Sequence, residues 1–390
     1  MPGATYYGNN SYTIYYAGNL PIIFSAPHGG PLTPAEIPDR TSGETVTDTR
    51  TKEMAQYVWQ EVFALTGKYP HVIINNLKRI KMDANRDSIE AALGNPFALY
   101  AWKEYHSFIA SASEKIRKDF SKGLYIDLHG HGHTIQRFEI GYLLSASELN
   151  KSNNELNAGS YVNKTSIKSL VKNNTKSLLL TDYLRGQYSL GNFFELAGYP
   201  AVPSPLNPSP ENNPYFSGGY STELYGSYNS GNIDGIQIEH NYDGVRNSDT
   251  NVRAYAKKLA QVILDFLKYH YQFDFISGVD SNNEIEREFS LSQNYPNPFN
   301  PETIITYRLP ASSNVTLKVY NFLGQEVATL QNGEMEAGIH HSTFSALNSP
   351  DGNRSAPLAS GVYFYQLRVR NSGTGAENSS ILTKKMILMK

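Results

Sequence analysis

Short β-branched runs alternate with longer stretches of helical spacing through the first two thirds of the chain. Tyr12 to Tyr16 and Leu20 to Ala26 read as two strands joined by an Ala-Gly-Asn turn. Met54, Val58, Val62 and Leu65 recur at helical spacing between Thr49 and Thr66, with Asp48 at the N-cap position and Gly67 as the stop. His71 to Asn75 reads as a strand. Ser88 to Phe120 reads as one long helix, with Trp102, Tyr105, Phe108 and Ile109 at core-like spacing and His106 as a structural histidine. Leu124 to Leu128, Ile140 to Leu144 and Gly235 to Glu239 read as further strands, and Ser189 to Leu196 as a short helix. Asn150 to Asn174 is polar and is expected to be an exposed excursion. Asn251 to Tyr271 reads as an amphipathic helix with Leu259, Val262, Ile263 and Phe266 on one side. Such alternation predicts an α/β sheet with helices on both faces.

The pattern changes after residue 277. Residues 278–288 are polar and acidic and are expected to be a linker between a domain at 1–277 and a second at 289–390. From Phe289 a Pro/Asn turn cluster leads into short alternating segments: Thr303 to Leu309, Val315 to Tyr320, Glu326 to Leu330, His340 to Phe344, Gly361 to Arg368 and Ser380 to Met389. Short strands at near-regular spacing predict a small β-sandwich.

Composition narrows the chemistry. The 390 residues carry 18% charged and 40% apolar positions with a net charge of -2, which suits a globular protein and gives no reason to expect nucleic acid as a partner. There is no cysteine, so any metal must be held by His, Asp or Glu. No apolar run approaches the ~20 residues of a membrane span. Met1 to Tyr7 lacks the basic and apolar regions of a signal peptide.

The candidate chemistry lies at strand ends. The strand Leu124 to Leu128 runs into His129-Gly-His131-Gly-His133, and the strand Leu20 to Ala26 runs into Pro27-His28-Gly29-Gly30. His28, Asp48 and His129 offer three protein ligands and leave a fourth position for water, the pattern of catalytic zinc. Glu239, ending its own strand, is the candidate general base. His131 and His133 have no assigned role.

Two resemblances follow from particular residues. Gln293 to Pro301 (QNYPNPFNP), Val319 to Leu330 (VYNFLGQEVATL), Ser360 to Leu367 (SGVYFYQL) and Thr383 to Lys390 (TKKMILMK) resemble the C-terminal sorting domain of the type IX secretion system. That implies a secreted or cell-surface protein with the secretion machinery as partner. Such export requires an N-terminal leader, so the chain is expected to begin downstream of one.

Pro27-His28-Gly29-Gly30, Asp83-Ala84-Asn85-Arg86, Ile126 to His129 and Gly235 to Glu239 resemble the N-formylglutamate amidohydrolase family. They are also similar to phage poly-γ-glutamate hydrolases and, more remotely, to zinc carboxypeptidases. The resemblance implies a phosphorylase/hydrolase-like α/β mixed sheet flanked by helices, one Zn2+ and hydrolysis of an amide bond near a carboxylate. It implies His28 and His129 as ligands, Glu239 as base, and Asn85 and Arg86 as the grip on a substrate carboxylate, which a guanidinium matches bidentately. Asp48 is the expected third ligand, with Glu36 and Asp39 as rivals. Arg246 and the Tyr220-Ser221 loop are candidates for further substrate contacts.

The reading is therefore a secreted zinc amidohydrolase acting on a small-molecule or peptide substrate. The alternatives are a carboxypeptidase-like exopeptidase and a non-catalytic secreted binding protein.

Overall fold

The computed structural model describes residues 1–275, 289–294, 297–309, 311–336, 338–347, 357–371 and 379–389. The chain divides into two compact units at residue 278. The linker expected at 278–288 lies outside the described residues.

The first unit is built on eight strands: β1 (Thr5–Tyr7), β2 (Thr13–Tyr16), β3 (Ile22–Ala26), β4 (His71–Asn75), β5 (Gly123–Gly130), β6 (Phe138–Gly141), β7 (Ala201–Val202) and β8 (Ile233–His240). Their order in the sheet is β1-β2-β4-β3-β5-β8-β6-β7. The central strands β4, β3, β5 and β8 run parallel, and β2 and β6 flank them antiparallel. The sheet is thus mixed, and its middle strands are near-continuous apolar runs because helices cover both faces.

On one face Ile23, Ile73 and Tyr125 pack against Tyr105, Ile109, Ala112 and Ile116 of the helix Pro96–Phe120. The helix Thr51–Thr66 packs on β3, β4 and β5 and lies beside the helix Asp249–Phe266.

Three expectations are corrected. Ser88 to Phe120 is two helices, because Leu93 and Gly94 adopt positive φ. Asn95 then starts the second helix, accepting from the amides of Phe97 and Ala98, with Pro96 in the first turn. Asp48 does not cap its helix. That helix begins at Thr51, after Arg50 at φ 65°, and the Arg50 side chain makes no capping bond. Asn150 to Asn174 is no simple surface excursion. Its short helices bury Leu156, Leu170 and Val171, sparse apolar positions masked by the lysines and asparagines between them.

In the second unit, β9 (Ser290–Leu291), β10 (Glu302–Leu309) and β13 (Gly338–Ser345) form one antiparallel sheet. A second contains β11 (Ser313–Asn321), β12 (Glu326–Met335), β14 (Gly361–Asn371) and β15 (Ser379–Leu388). Ile305, Tyr307 and Phe344 from the first sheet share a core with Val315, Leu317, Tyr365 and Leu367 from the second. This is a small sandwich. Among the described residues no helix is long and apolar enough to cross a membrane.

Asp234 ties several segments to the sheet. Its carboxylate accepts from the amide of Leu170 (3.0 Å) and from the hydroxyls of Ser227 (2.6 Å) and Tyr271 (2.8 Å). Burial nevertheless pushes it up to about 6. A carboxyl group raised on folding contributes stability that is fully present below its unfolded value near 4 and is lost as pH rises through about 6. Urea denaturation of Asp234→Asn should therefore show the variant gaining on the wild type between pH 4 and pH 7.5, by on the order of 3 kcal/mol. A constant difference across that range would refute the assignment.

Candidate metal centre and active site

The geometry starts from the ends of β3 and β5, which pair side by side. His28 follows β3 on a turn that only glycines permit. A Cβ on Gly29 would lie 2.4 Å from the amide nitrogen of Lys52, and one on Gly30 2.2 Å from the carbonyl carbon of Asn76. His129 is the penultimate residue of β5 and faces the same point. The imidazole centroids are 4.8 Å apart.

Each imidazole is turned by a buried carboxylate. His28 Nε2 lies 2.6 Å from Asp83 Oδ1, and His129 Nε2 lies 2.9 Å from Asp127 Oδ2. Nε2–H pointing at a carboxylate leaves Nδ1 as the free donor atom of a neutral ring. Both Nδ1 atoms then meet one oxygen, Asp48 Oδ2, at 3.3 Å for His28 and 3.2 Å for His129. The amide of Gly130 also donates to that oxygen, at 3.1 Å. Asp48 reaches this place because it was released from capping; instead its backbone carbonyl accepts from Thr51. The three ligand atoms lie within 4.8 Å of one another, and all three residues are buried.

Charge in this pocket is strongly shifted. Burial alone would raise Asp48, but the two imidazoles more than offset it and hold the carboxyl well below its usual range. Burial alone would lower His129, but Asp127 and Asp48 hold it well above. Asp83 is held well below, against its burial, by His28 and Arg79. Arg79 Nε lies 3.0 Å from Asp83, and its Nη1 lies 3.7 Å from Asp48. The pocket favours positive charge at its centre. Two imidazole nitrogens and one carboxylate oxygen form a donor set that fits zinc.

Glu239 stands beside the cluster. Its Cα is the register partner of His129 in the parallel β5–β8 pair. Its Oε1 is 3.9 Å from His129 Nδ1 and accepts from the Gln237 amide at 3.0 Å. Burial raises it well above the ordinary carboxylate range, with the carboxylates of Asp48 and Glu139 adding to the effect.

The other expected residues are distributed around this core. Asn85 Oδ1 accepts from the Ser221 amide at 2.8 Å, and its Nδ2 lies 3.3 Å from His129 Nε2. Ser221 Oγ is buried without a protein partner. Arg86 is about one-third exposed, with Nε on Glu90 (3.1 Å) and Nη1 on its neighbour's carbonyl. Tyr220 lies near Trp102 and His106. The structure places Arg246 in a bracing position: its buried guanidinium donates to the carbonyls of His240, Thr49 and His131. Gly130 leaves the space it fills, since a Cβ there would lie 2.1 Å from its Cζ. Glu36 and Asp39, the rivals to Asp48, are exposed and engaged elsewhere, Glu36 by the Tyr12 hydroxyl and Asp39 by Lys81 at 2.8 Å.

Four groups of the site have no role in the sequence reading: Arg79, Asp83, Asp127 and Glu139. Two had a signal. Asp127 is two residues before His129 on one strand, hence on the same face. Asp83 opens the Asp83-Ala84-Asn85-Arg86 motif. Arg79 and Glu139 had none.

A mixed α/β sheet with a buried two-histidine, one-aspartate cluster at its strand ends, followed by a β-sandwich, is the class of protein described so far. Residues 293–387 match the family described as the secretion system C-terminal sorting domain. The chain thus carries a type IX secretion sorting domain, which marks it as a secreted or cell-surface protein. No curated protein matches the chain. Among solved structures, N-formylglutamate amidohydrolase from Ralstonia eutropha JMP134 is similar at 14% identity, covering 66% of this chain and 96% of that one with a TM-score of 0.43. Dimeric latent PorU from Porphyromonas gingivalis is similar at 21% identity, covering 26% of this chain and 9% of that one with a TM-score of 0.21.

Arg246→Lys should destabilise the first unit by about 2–4 kcal/mol, because one ammonium cannot serve three separated carbonyls and leaves buried acceptors unpaired. The urea midpoint measures this. An unchanged midpoint would show that water replaces the guanidinium at little cost.

Proposed function

We propose that the first unit is a zinc-dependent hydrolase that cleaves an amide bond near a carboxylate, in an N-acyl amino acid, γ-glutamyl or peptide substrate. One observation carries the reading: two imidazoles, each fixed by its own buried carboxylate, aim Nδ1 at the same oxygen of Asp48. Such carboxylate–histidine pairs orient and strengthen metal-ligating imidazoles. A structural brace has no need of two rings converging on one point.

His28, Asp48 and His129 would hold the ion. Zinc bound there supplies Lewis acidity and makes water a nucleophile at neutral pH. Glu239 would take the proton of that water and return it to the leaving amine. Its burial and raised proton affinity suit both halves of the task. Arg86, whose Nε and Nη1 are held by Glu90 and the Asn85 carbonyl, would meet a substrate carboxylate through Nη2. Asn85, whose side chain lies beside His129, and the buried Ser221 hydroxyl would offer further contacts to substrate. The sequence motifs shared with N-formylglutamate amidohydrolases support the same division of roles.

Elemental analysis of the purified protein should find about one zinc per chain, lost in His129→Ala. Asp83→Asn should weaken zinc about 10–100-fold, because it removes the partner that orients His28. Glu239→Gln should keep the zinc and lose about 10²–10⁴ in kcat on N-acyl-glutamates or γ-glutamyl amides. A protein that neither binds zinc nor hydrolyses any of these after zinc is added would leave the binding-protein alternative standing.

A further inference from the structure

Residues directly opposed on neighbouring strands project from the same face of a sheet. Glu239 opposes His129 across β5 and β8, and Glu139 opposes Glu239 across β8 and β6. His129, Glu239 and Glu139 therefore form one row over three strands. The first two have roles in the proposed hydrolase, and the third is equally buried.

Glu139 is fully engaged. Its Oε2 accepts from the amide of Phe216 at 2.8 Å, and its Oε1 lies 2.7 Å from His133 Nδ1. A carboxylate can only accept, so Nδ1 of His133 carries the proton and Nε2 of the neutral ring is bare. Among the described residues Nε2 makes no hydrogen bond, and the side chain is 23% exposed. The ring lies flat on Phe216, with centroids 4.9 Å apart and planes 6° from parallel. It is thereby held in one orientation with one nitrogen available.

The segment Tyr215–Ser221 links this pair to the cluster. At one end the Tyr215 hydroxyl donates to Ile140, Phe216 binds Glu139, and Ser217 accepts from the Leu143 amide. At the other end Ser221 donates to Asn85, which lies against His129.

His131, His133 and Glu139 also lie within metal-ligand reach of one another. Both ring nitrogens of His131 are already used, however. Nε2 donates to the Arg137 carbonyl at 2.8 Å, and Nδ1 accepts from the His133 amide at 3.1 Å. That makes His131 part of a hydrogen-bonded bracket around His133.

We propose that His133, oriented by Glu139 and held on Phe216, is a further catalytic residue whose bare Nε2 accepts the N–H of the scissile amide. This rests on the hydrolase reading above. The bond fixes the rotation of the leaving nitrogen, and it discriminates: an amide bearing N–H can make it, while an ester of the same shape cannot.

The test uses the full-length, zinc-loaded protein with N-acetyl-L-glutamate and γ-L-glutamyl-4-nitroanilide, each beside the ester in which oxygen replaces the N–H. His133→Ala should lose about 10–100-fold in kcat/KM on the amide that the wild type cleaves and stay within about twofold on its ester. His133→Gln, whose Oε1 can stand near the place of Nε2, should restore part of the loss. Zinc content should remain at the wild-type level in both variants. Equal losses on amide and ester, or no loss, would overturn the role of His133 and leave the hydrolase standing. A second zinc in the wild type that disappears in His133→Ala would overturn it in favour of a metal site. A wild type inert on all four compounds would sink this proposal together with the function it rests on.

Discussion

Everything at the head of the sheet depends on one constraint: a charge removed from water must find an opposite charge or a set of hydrogen-bond donors. Asp48, Asp83, Asp127, Glu139 and Glu239 are all buried within the same few strand ends. Carboxylates at that density repel one another unless imidazoles, guanidinia and amides are threaded between them. His28, His129, His133, Arg79 and the amides of Gly130 and Phe216 do this. The surrounding loops follow from that requirement. Arg246 ties together three backbone carbonyls because the backbone around His131 and His240 must also be satisfied without solvent.

The sheet supplies the precision. Two residues back from each chemical group on its strand sits its support: Asp127 below His129, and Gln237 below Glu239. Side chains two apart on a strand share a face, so the brace is inherited from the pleat. Ser25 extends the pattern to the next strand, donating to Asp127 at 2.5 Å. Sites on such elements hold their geometry better than sites on loops. The exception is Glu139 on the antiparallel strand β6, which takes its support from the Tyr215–Ser221 segment.

Much of this could be read from the chain before the structure. The histidine turns after Ala26 and Leu128, the strand ending at Glu239 and the acid before Thr51 are local signals. Each places one residue at one strand or helix end. The change of composition after residue 277 and the Pro/Asn cluster are local as well, and they marked the sandwich. What was hidden is relational. Asp48 looks like a cap until Arg50 takes the left-handed conformation and frees it. Glu139 looks like an ordinary strand residue until β6 pairs with β8 in one register. Leu156, Leu170 and Val171 look isolated until their short helices turn them inward. None of these depends on a window of a dozen residues.

The three residues of the cluster come from segments far apart in the chain, and two of them meet only through the pairing of β3 with β5. An unfolded chain therefore offers no comparable site. Any ion the cluster takes binds the folded form alone and pulls the folding equilibrium toward it by mass action. A secreted or cell-surface protein that held an ion there would be stabilised wherever that ion is plentiful. Without an ion, the same buried carboxylates would rely on the imidazoles, guanidinia and amides around them alone.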